Sequence, residues 1–72
     1  MPLSLVRKGE KVRIVHVSGN DALKKHLGAL GFVAGVVVTV ANVMNDSLVV
    51  AIHDSRIAVN GDIARHVTVE AV

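Results

Sequence analysis

A seven-residue segment near the start of the chain alternates its positions with the period of a β-strand. The segment KVRIVHV occupies residues 11–17. Its period of two places Val12, Ile14 and His16 on one face of a strand and the intervening residues on the other, and we expect one of these faces to be buried. The residues SGND that follow, 18–21, contain a glycine and two turn formers and therefore end the strand.

The next segment has the spacing of an amphipathic helix. Leu23, Leu27 and Leu30 stand at i, i+4 and i+7, which places them on one helical face. Ser18 or Asn20 can cap its N-terminus by accepting a backbone hydrogen bond. A helix of about ten residues is marginal in isolation, so we expect this one to pack against a sheet.

The remainder of the chain predicts four more strands and one short helical turn. The predicted strands are VVVTVANV (36–43), LVVAIH (48–53), RIAV (56–59) and HVTVEAV (66–72), with turns at NDS (45–47) and DS (54–55). Asn60 begins a single helical turn before the last strand. This order predicts a mainly β fold, a small, partly open antiparallel barrel of about five strands with one α-helix after the first strand.

Composition supports this prediction and restricts the function classes. A chain of 72 residues predicts a single domain, 1–72. Of its residues 51% are hydrophobic, and Phe32 is the one aromatic residue. Abundant valine favours strands. The absence of cysteine excludes disulfides and thiolate metal sites. A net charge of +2 is small for a nucleic-acid binder. The N-terminal residues do not resemble a signal peptide, so we expect a cytoplasmic protein.

The segment HLGALGFVAGVVVTVA, residues 26–41, contains three glycines and admits three interpretations. As a phosphate loop it has the wrong spacing, and it follows a helix instead of opening one. As a membrane span it is favoured by the absence of charge over 27–44, but this length is near the lower limit and its second half is β-branched. The third interpretation is the end of a helix followed by a turn and a strand.

This third interpretation gives two glycines a conformational role. Gly31 follows the last leucine of the helix, where a left-handed residue ends it, and Phe32 then folds back on Leu27 as in a Schellman motif. Gly35 takes the positive-φ position of a type II turn. Gly28 lies inside the helix, where glycine is about 1 kcal/mol less favourable than alanine. Either it permits a close approach of another backbone segment, or no structural requirement selects glycine at this position.

Three segments together resemble one family. LVRKGEKVRIVHV, LKKHLGALGFVAGVVVTV and SRIAVNGDIARHVTV are similar to the FeoA family of ferrous iron transport accessory proteins over nearly the whole chain. The pattern comprises Gly9, Leu23, Leu27, Leu30, Gly31, Phe32, Gly35, Val38 and Val40, with Ala64 and 67–69 in the closing strand. The resemblance implies an SH3-like barrel, no enzymatic activity, no cofactor and association with the membrane ferrous-iron transporter FeoB on its cytoplasmic side, without direct insertion into the membrane.

The chain departs from the family pattern at three places. Ala34 stands where members commonly have proline, NDS at 45–47 replaces a longer Gly-Asp-Pro hairpin, and Asn60 replaces a basic residue. The LGF-x-x-G core also occurs in SH3-like domains attached to metal-dependent transcriptional repressors. The departures leave the barrel prediction intact and bear on contacts made by the hairpin tip.

The helix and its C-terminal turn form a candidate docking surface. Lys24 and Lys25 can steer an acidic partner segment, while apolar neighbours supply the contact energy. The full candidate set is Leu23, Lys24, Lys25, Leu27, Phe32 and Val33, with Gly9, Gly31 and Gly35 as structural residues.

Other functions find weaker support in the sequence. An RNA-binding barrel would use Arg7, Lys8, Lys11 and Arg13, but a chain with one aromatic residue lacks an aromatic stacking surface, so no nucleic-acid partner is expected. A homo-oligomerisation module is a further alternative. The histidines at 16, 26, 53 and 66 show no i+3 or i+4 pair, so no metal site is predicted, and no catalytic nucleophile and base are evident.

Overall fold

Five short strands and one nine-residue helix dominate the computed structural model, which describes all 72 residues. The elements in chain order are a 3-10 turn (Leu3–Leu5), β1 (Lys11–Val17), α1 (Asp21–Ala29), β2 (Val37–Val43), β3 (Ser47–Ile52), β4 (Ser55–Asn60), α2 (Gly61–Ala64) and β5 (Val67–Ala71). The predicted order of elements is confirmed.

The five strands form one antiparallel sheet in the order β4-β3-β2-β1-β5. β1 lies between β2 and β5, and β4 and β5 are the two edges of the sheet. The mainly β, partly open antiparallel architecture with a helix after the first strand is therefore confirmed.

The interior consists of 15 buried residues, all of them hydrophobic. Alternate residues of the strands point inward, as in β3, whose Leu48, Val50 and Ile52 are buried. The N-terminal segment also contributes, since Leu3 and Val6 are 0% and 3% exposed. This contribution is not predictable from the sequence pattern, because the segment has no helical or strand period.

The alternation in β1 stops at a bulge. Val12 and Ile14 are buried as the period of two requires, but the register with β5 shifts between Ile14 and His16. His16 is consequently exposed, and Val17 packs against the core instead. The prediction that Val12, Ile14 and His16 share one face of the strand is therefore wrong for His16.

Candidate functional site

The first turn of α1 is held by a side-chain cap and by a close contact with the loop before it. Asn20 Oδ1 accepts a hydrogen bond from the backbone N–H of Leu23 at 2.8 Å, which identifies Asn20 as the N-cap. The Leu23 side chain then folds over Gly19, where an added Cβ would stand 2.8 Å from Leu23 Cδ2. Leu23 is therefore half-buried and only part of it faces solvent.

The C-terminal end of α1 has the hydrogen bonds of a Schellman motif. Gly31 has φ +101° and donates to the carbonyl of Gly28 at 3.0 Å, and Phe32 donates to the carbonyl of Leu27 at 2.9 Å. Leu27 and Phe32 both belong to the buried core cluster. The predicted helix stop at Gly31 is confirmed.

The following turn directs the chain into β2. Val36 donates to the carbonyl of Val33 at 3.1 Å, and Gly35 has φ +93°, as predicted for the third position of a type II turn. Gly35 also donates to the carbonyl of Ile14 at 2.7 Å, which fixes this turn against β1. A Cβ added to Gly28 would have no heavy atom within 4 Å, so no close backbone approach requires glycine there.

Gly9 makes the corresponding turn before β1. It has φ +89° and donates to the carbonyl of Val40 at 2.7 Å, so it fixes the loop before β1 against β2. Its expected structural role is consistent with this geometry.

The candidate docking set divides into an exposed and a buried group. Lys24 and Lys25 are exposed, Val33 is 51% exposed and Leu23 is half-buried. Leu27 and Phe32 are 1% and 2% exposed, because they attach the helix to the sheet, and their side chains cannot contact a partner of the folded protein. We call the remaining four residues, Leu23, Lys24, Lys25 and Val33, the helix surface.

The four histidines lie on four different segments of the chain. Ser18 Oγ lies 3.3 Å from Nδ1 of His66 and donates to the carbonyl of His66 at 3.2 Å. His53 occupies the β3–β4 turn with φ +53°. His16 and His26 are exposed. No three His, Asp or Glu side chains come together in an arrangement that could hold a metal ion.

The basic residues before and within β1 differ in whether they have a carboxylate partner. Arg13 Nη1 donates to Glu70 Oε1 at 3.2 Å, and the two residues are directly opposite in the β1–β5 pairing. Arg7, Lys8 and Lys11 are exposed. Of the four cations considered for phosphate binding, one already has a carboxylate partner.

An open groove of about 560 Å³ was not anticipated from the sequence. Leu5 and Met44 are its most exposed apolar residues, at 67% and 48%, and Arg65 Nη1 donates to Asp62 Oδ1 at 2.9 Å on its rim. The lining residues come from the 3-10 turn, the β2–β3 connection and α2. Because these segments are distant in sequence, no local motif indicates the groove.

The uncharged stretch at 27–44 is divided among the end of α1, the turn at Gly35 and β2. Neither helix combines the length and the apolar character needed to cross a bilayer.

A five-stranded antiparallel barrel with a helix after its first strand and a Schellman–turn junction defines a small SH3-like β domain. The sequence places it more narrowly. The family model of the FeoA domain matches residues 1–71, and the chain belongs to the FeoA family.

Solved structures agree with this assignment. The chain is similar to FeoA of Stenotrophomonas maltophilia, with 28% identity and a TM-score of 0.85 over 97% of this chain and 89% of that one. That structure contains zinc, and its protein is described as a prokaryotic SH3 domain protein. It is also similar to iron(II) transport protein A of Clostridium thermocellum, with 28% identity and a TM-score of 0.93, covering 100% of this chain and 46% of that one.

The same fold occurs in regulators. A manganese-dependent transcriptional repressor shares it at 15% identity and a TM-score of 0.92, over 100% of this chain and 41% of the repressor, which shows the fold alone. No curated protein sequence matches the chain.

Proposed function

We propose that this protein is a non-enzymatic, cytoplasmic accessory protein of ferrous iron uptake that binds a membrane ferrous-iron transporter of the FeoB type. The observation that carries the proposal is the FeoA family match over residues 1–71. The S. maltophilia relative is described as a candidate activating factor for ferrous iron transport, which supports the same role here. The protein would act through contact with the transporter, without chemistry of its own.

The helix surface is the contact region that we propose for this partner. Lys24 and Lys25 are exposed and form no salt bridge within the chain, so both charges are free to meet carboxylates. Val33, at 51% exposure, and the outer part of Leu23 provide the exposed apolar area of the helix surface. Charges of this kind set the rate and orientation of association, while apolar side chains supply most of the binding energy.

The two lysines can be tested by charge reversal. The double variant Lys24→Glu/Lys25→Glu should lose binding to the detergent-solubilised transporter in a pull-down and in titration calorimetry. The matched control Lys8→Glu/Lys11→Glu changes the net charge equally at exposed positions outside the helix surface, and we expect it to bind as the parent does.

The outcomes separate the site from the function. Equal loss in both double variants would indicate a nonspecific effect of net charge and contradict the helix surface as the site. Unchanged binding of Lys24→Glu/Lys25→Glu would place the contact elsewhere on the protein. Absence of binding by the parent protein would contradict the proposed function itself. Unfolding curves of each variant confirm that the fold is retained.

A further inference from the structure

The two edges of the sheet differ in whether the chain covers them. At the β5 edge, Val69 donates to the carbonyl of Met1 at 2.7 Å and Pro2 forms a bridge with Thr68. At the β4 edge, no backbone hydrogen bond outside the β3–β4 pairing reaches residues 55–59. The β4 edge is therefore open to another strand.

The hydrogen-bond pattern identifies the groups that β4 presents at this edge. A two-residue turn joins Ile52 to Ser55, so these two residues form the hydrogen-bonded pair that closes the hairpin. Gly61 donates to the carbonyl of Asp46 at 2.7 Å, which continues the same alternation six residues later. Odd-numbered residues of β4 thus face β3, and the even-numbered residues direct their N–H and C=O groups outward.

The outward groups belong to Arg56, Ala58 and Asn60, of which Asn60 offers its N–H, because its carbonyl begins α2 as the N-cap residue. All three side chains are exposed. Folded proteins usually protect such an edge with proline, a bulge, several charges or a covering segment. The pairing of β4 with β3 has no register shift, the strand contains no proline, and Arg56 is its one charged residue. The outward backbone groups of β4 are therefore free to pair with another strand.

We propose that β4 pairs antiparallel with β4 of a second copy of this chain, about a two-fold axis at Ala58. In this register Ala58 stands opposite Ala58 of the second copy, and Arg56 stands opposite Asn60. The outward backbone groups of these residues then meet one another, because directly opposed residues in a hydrogen-bonded pair must both face outward.

The side chains also favour a second copy as the occupant. On the face that points to the core, half-buried Ile57 stands opposite Val59 of the other copy, so no polar or charged side chain is opposed to an apolar one; Val59 is 3% exposed and adds no contact area of its own. On the outer face the small side chain of Ala58 lies at the axis, and the two Arg56 charges are kept apart. An axis at Ile57 would leave Asn60 without a partner, and an axis at Arg56 would oppose like charges.

A single cysteine at the axis tests this arrangement directly. The chain has no cysteine, so Ala58→Cys introduces the one thiol. Hydrogen-bonded antiparallel partners have Cα atoms about 5.5 Å apart, which lies within the range of a disulfide. Mild oxidation should therefore convert Ala58→Cys to a covalent dimer at least tenfold faster than the control Ala34→Cys, which is also exposed but lies in the turn before β2. Equal rates for the two variants would overturn the proposal.

Sedimentation equilibrium supplies an independent measurement on the protein without cysteine. The parent and Ala58→Ser, which keeps the N–H, should form dimers at the highest soluble concentration. Ala58→Pro lacks the outward N–H but retains the pairing with β3, so it should be monomeric with an unchanged circular dichroism spectrum. A parent protein that is monomeric at every concentration, or a dimeric Ala58→Pro, would show that a strand of the second copy does not occupy this edge. The transporter is absent from both experiments, so their outcome is independent of the function proposed above.

Discussion

Gly31 lies directly against Ile52, so closely that a Cβ on Gly31 would stand 3.1 Å from Cδ1 and 3.6 Å from Cγ1 of Ile52. Ile52 is the last residue of β3 and is 2% exposed. The missing side chain of Gly31 thus serves two purposes, since it permits the left-handed conformation that ends α1 and lets that end rest on the sheet. The helix surface is positioned by this contact.

Gly31→Ala should therefore destabilise the protein. The left-handed φ of +101° and the tight contact with Ile52 both oppose a Cβ, and we expect the free energy of unfolding to fall by about 1–3 kcal/mol in urea denaturation. The control is Gly28→Ala in the same helix, where the Cβ meets nothing within 4 Å. It should raise the free energy of unfolding by about 0.5–1 kcal/mol. Similar values for the two variants would contradict the role assigned to Gly31.

The parts of the fold that sequence reasoning predicted are those determined by local chemistry. Gly31 and Gly35 are predictable because a positive φ selects glycine, and Asn60 because its side chain accepts from the N–H of Ile63 at 2.9 Å, three residues away. Such interactions are complete within one short segment. Leu3 could not be placed, because its burial depends on α2 and β5, which lie far along the chain.

The candidate site shows the same limit. The hydrophobicity of Phe32 marks it equally for a core and for an interface, and only the packing of the α1 end assigns it to the core. The exposure of Lys24, Lys25 and Val33 could be inferred from helical spacing and turn position. The groove beside Met44 could not, since its walls come from three separate segments.

The cap of α1 can be tested at Asn20. Asn20→Ala removes the oxygen that accepts from Leu23 at 2.8 Å and should lower the free energy of unfolding by about 1 kcal/mol. Asn20→Asp keeps an acceptor at the same distance along the side chain and should retain the stability of the parent. Thermal denaturation measures both. An equal loss of stability in Asn20→Ala and Asn20→Asp would mean that the side-chain NH₂ group of Asn20, and not its Oδ1 atom, stabilises the helix.

Phe32 and Val33 should separate stability from binding. Phe32 is 2% exposed, and Phe32→Ala should cost about 3–5 kcal/mol, which approaches the whole stability of a small domain. This variant should be largely unfolded by circular dichroism and lose transporter binding for that reason. Val33, at 51% exposure, can be shortened to alanine with a change within about 0.5 kcal/mol. Val33→Ala should fold normally and bind the transporter more weakly; parent-like affinity would exclude Val33 from the helix surface.

The Arg13–Glu70 pair should contribute little to stability despite its favourable geometry. The two side chains are 43% and 54% exposed, so water screens the interaction across the 3.2 Å separation. A double-mutant cycle with Arg13→Ala and Glu70→Ala should give a coupling free energy of about 0.2–1 kcal/mol, decreasing as salt is added. The matched pair for comparison is Arg65 and Asp62, which are 2.9 Å apart but 70% and 88% exposed, and whose coupling should be smaller still. A coupling for Arg13–Glu70 that did not change between low and high salt would contradict an electrostatic origin and assign the effect to packing of the arginine stem across the β1–β5 pairing.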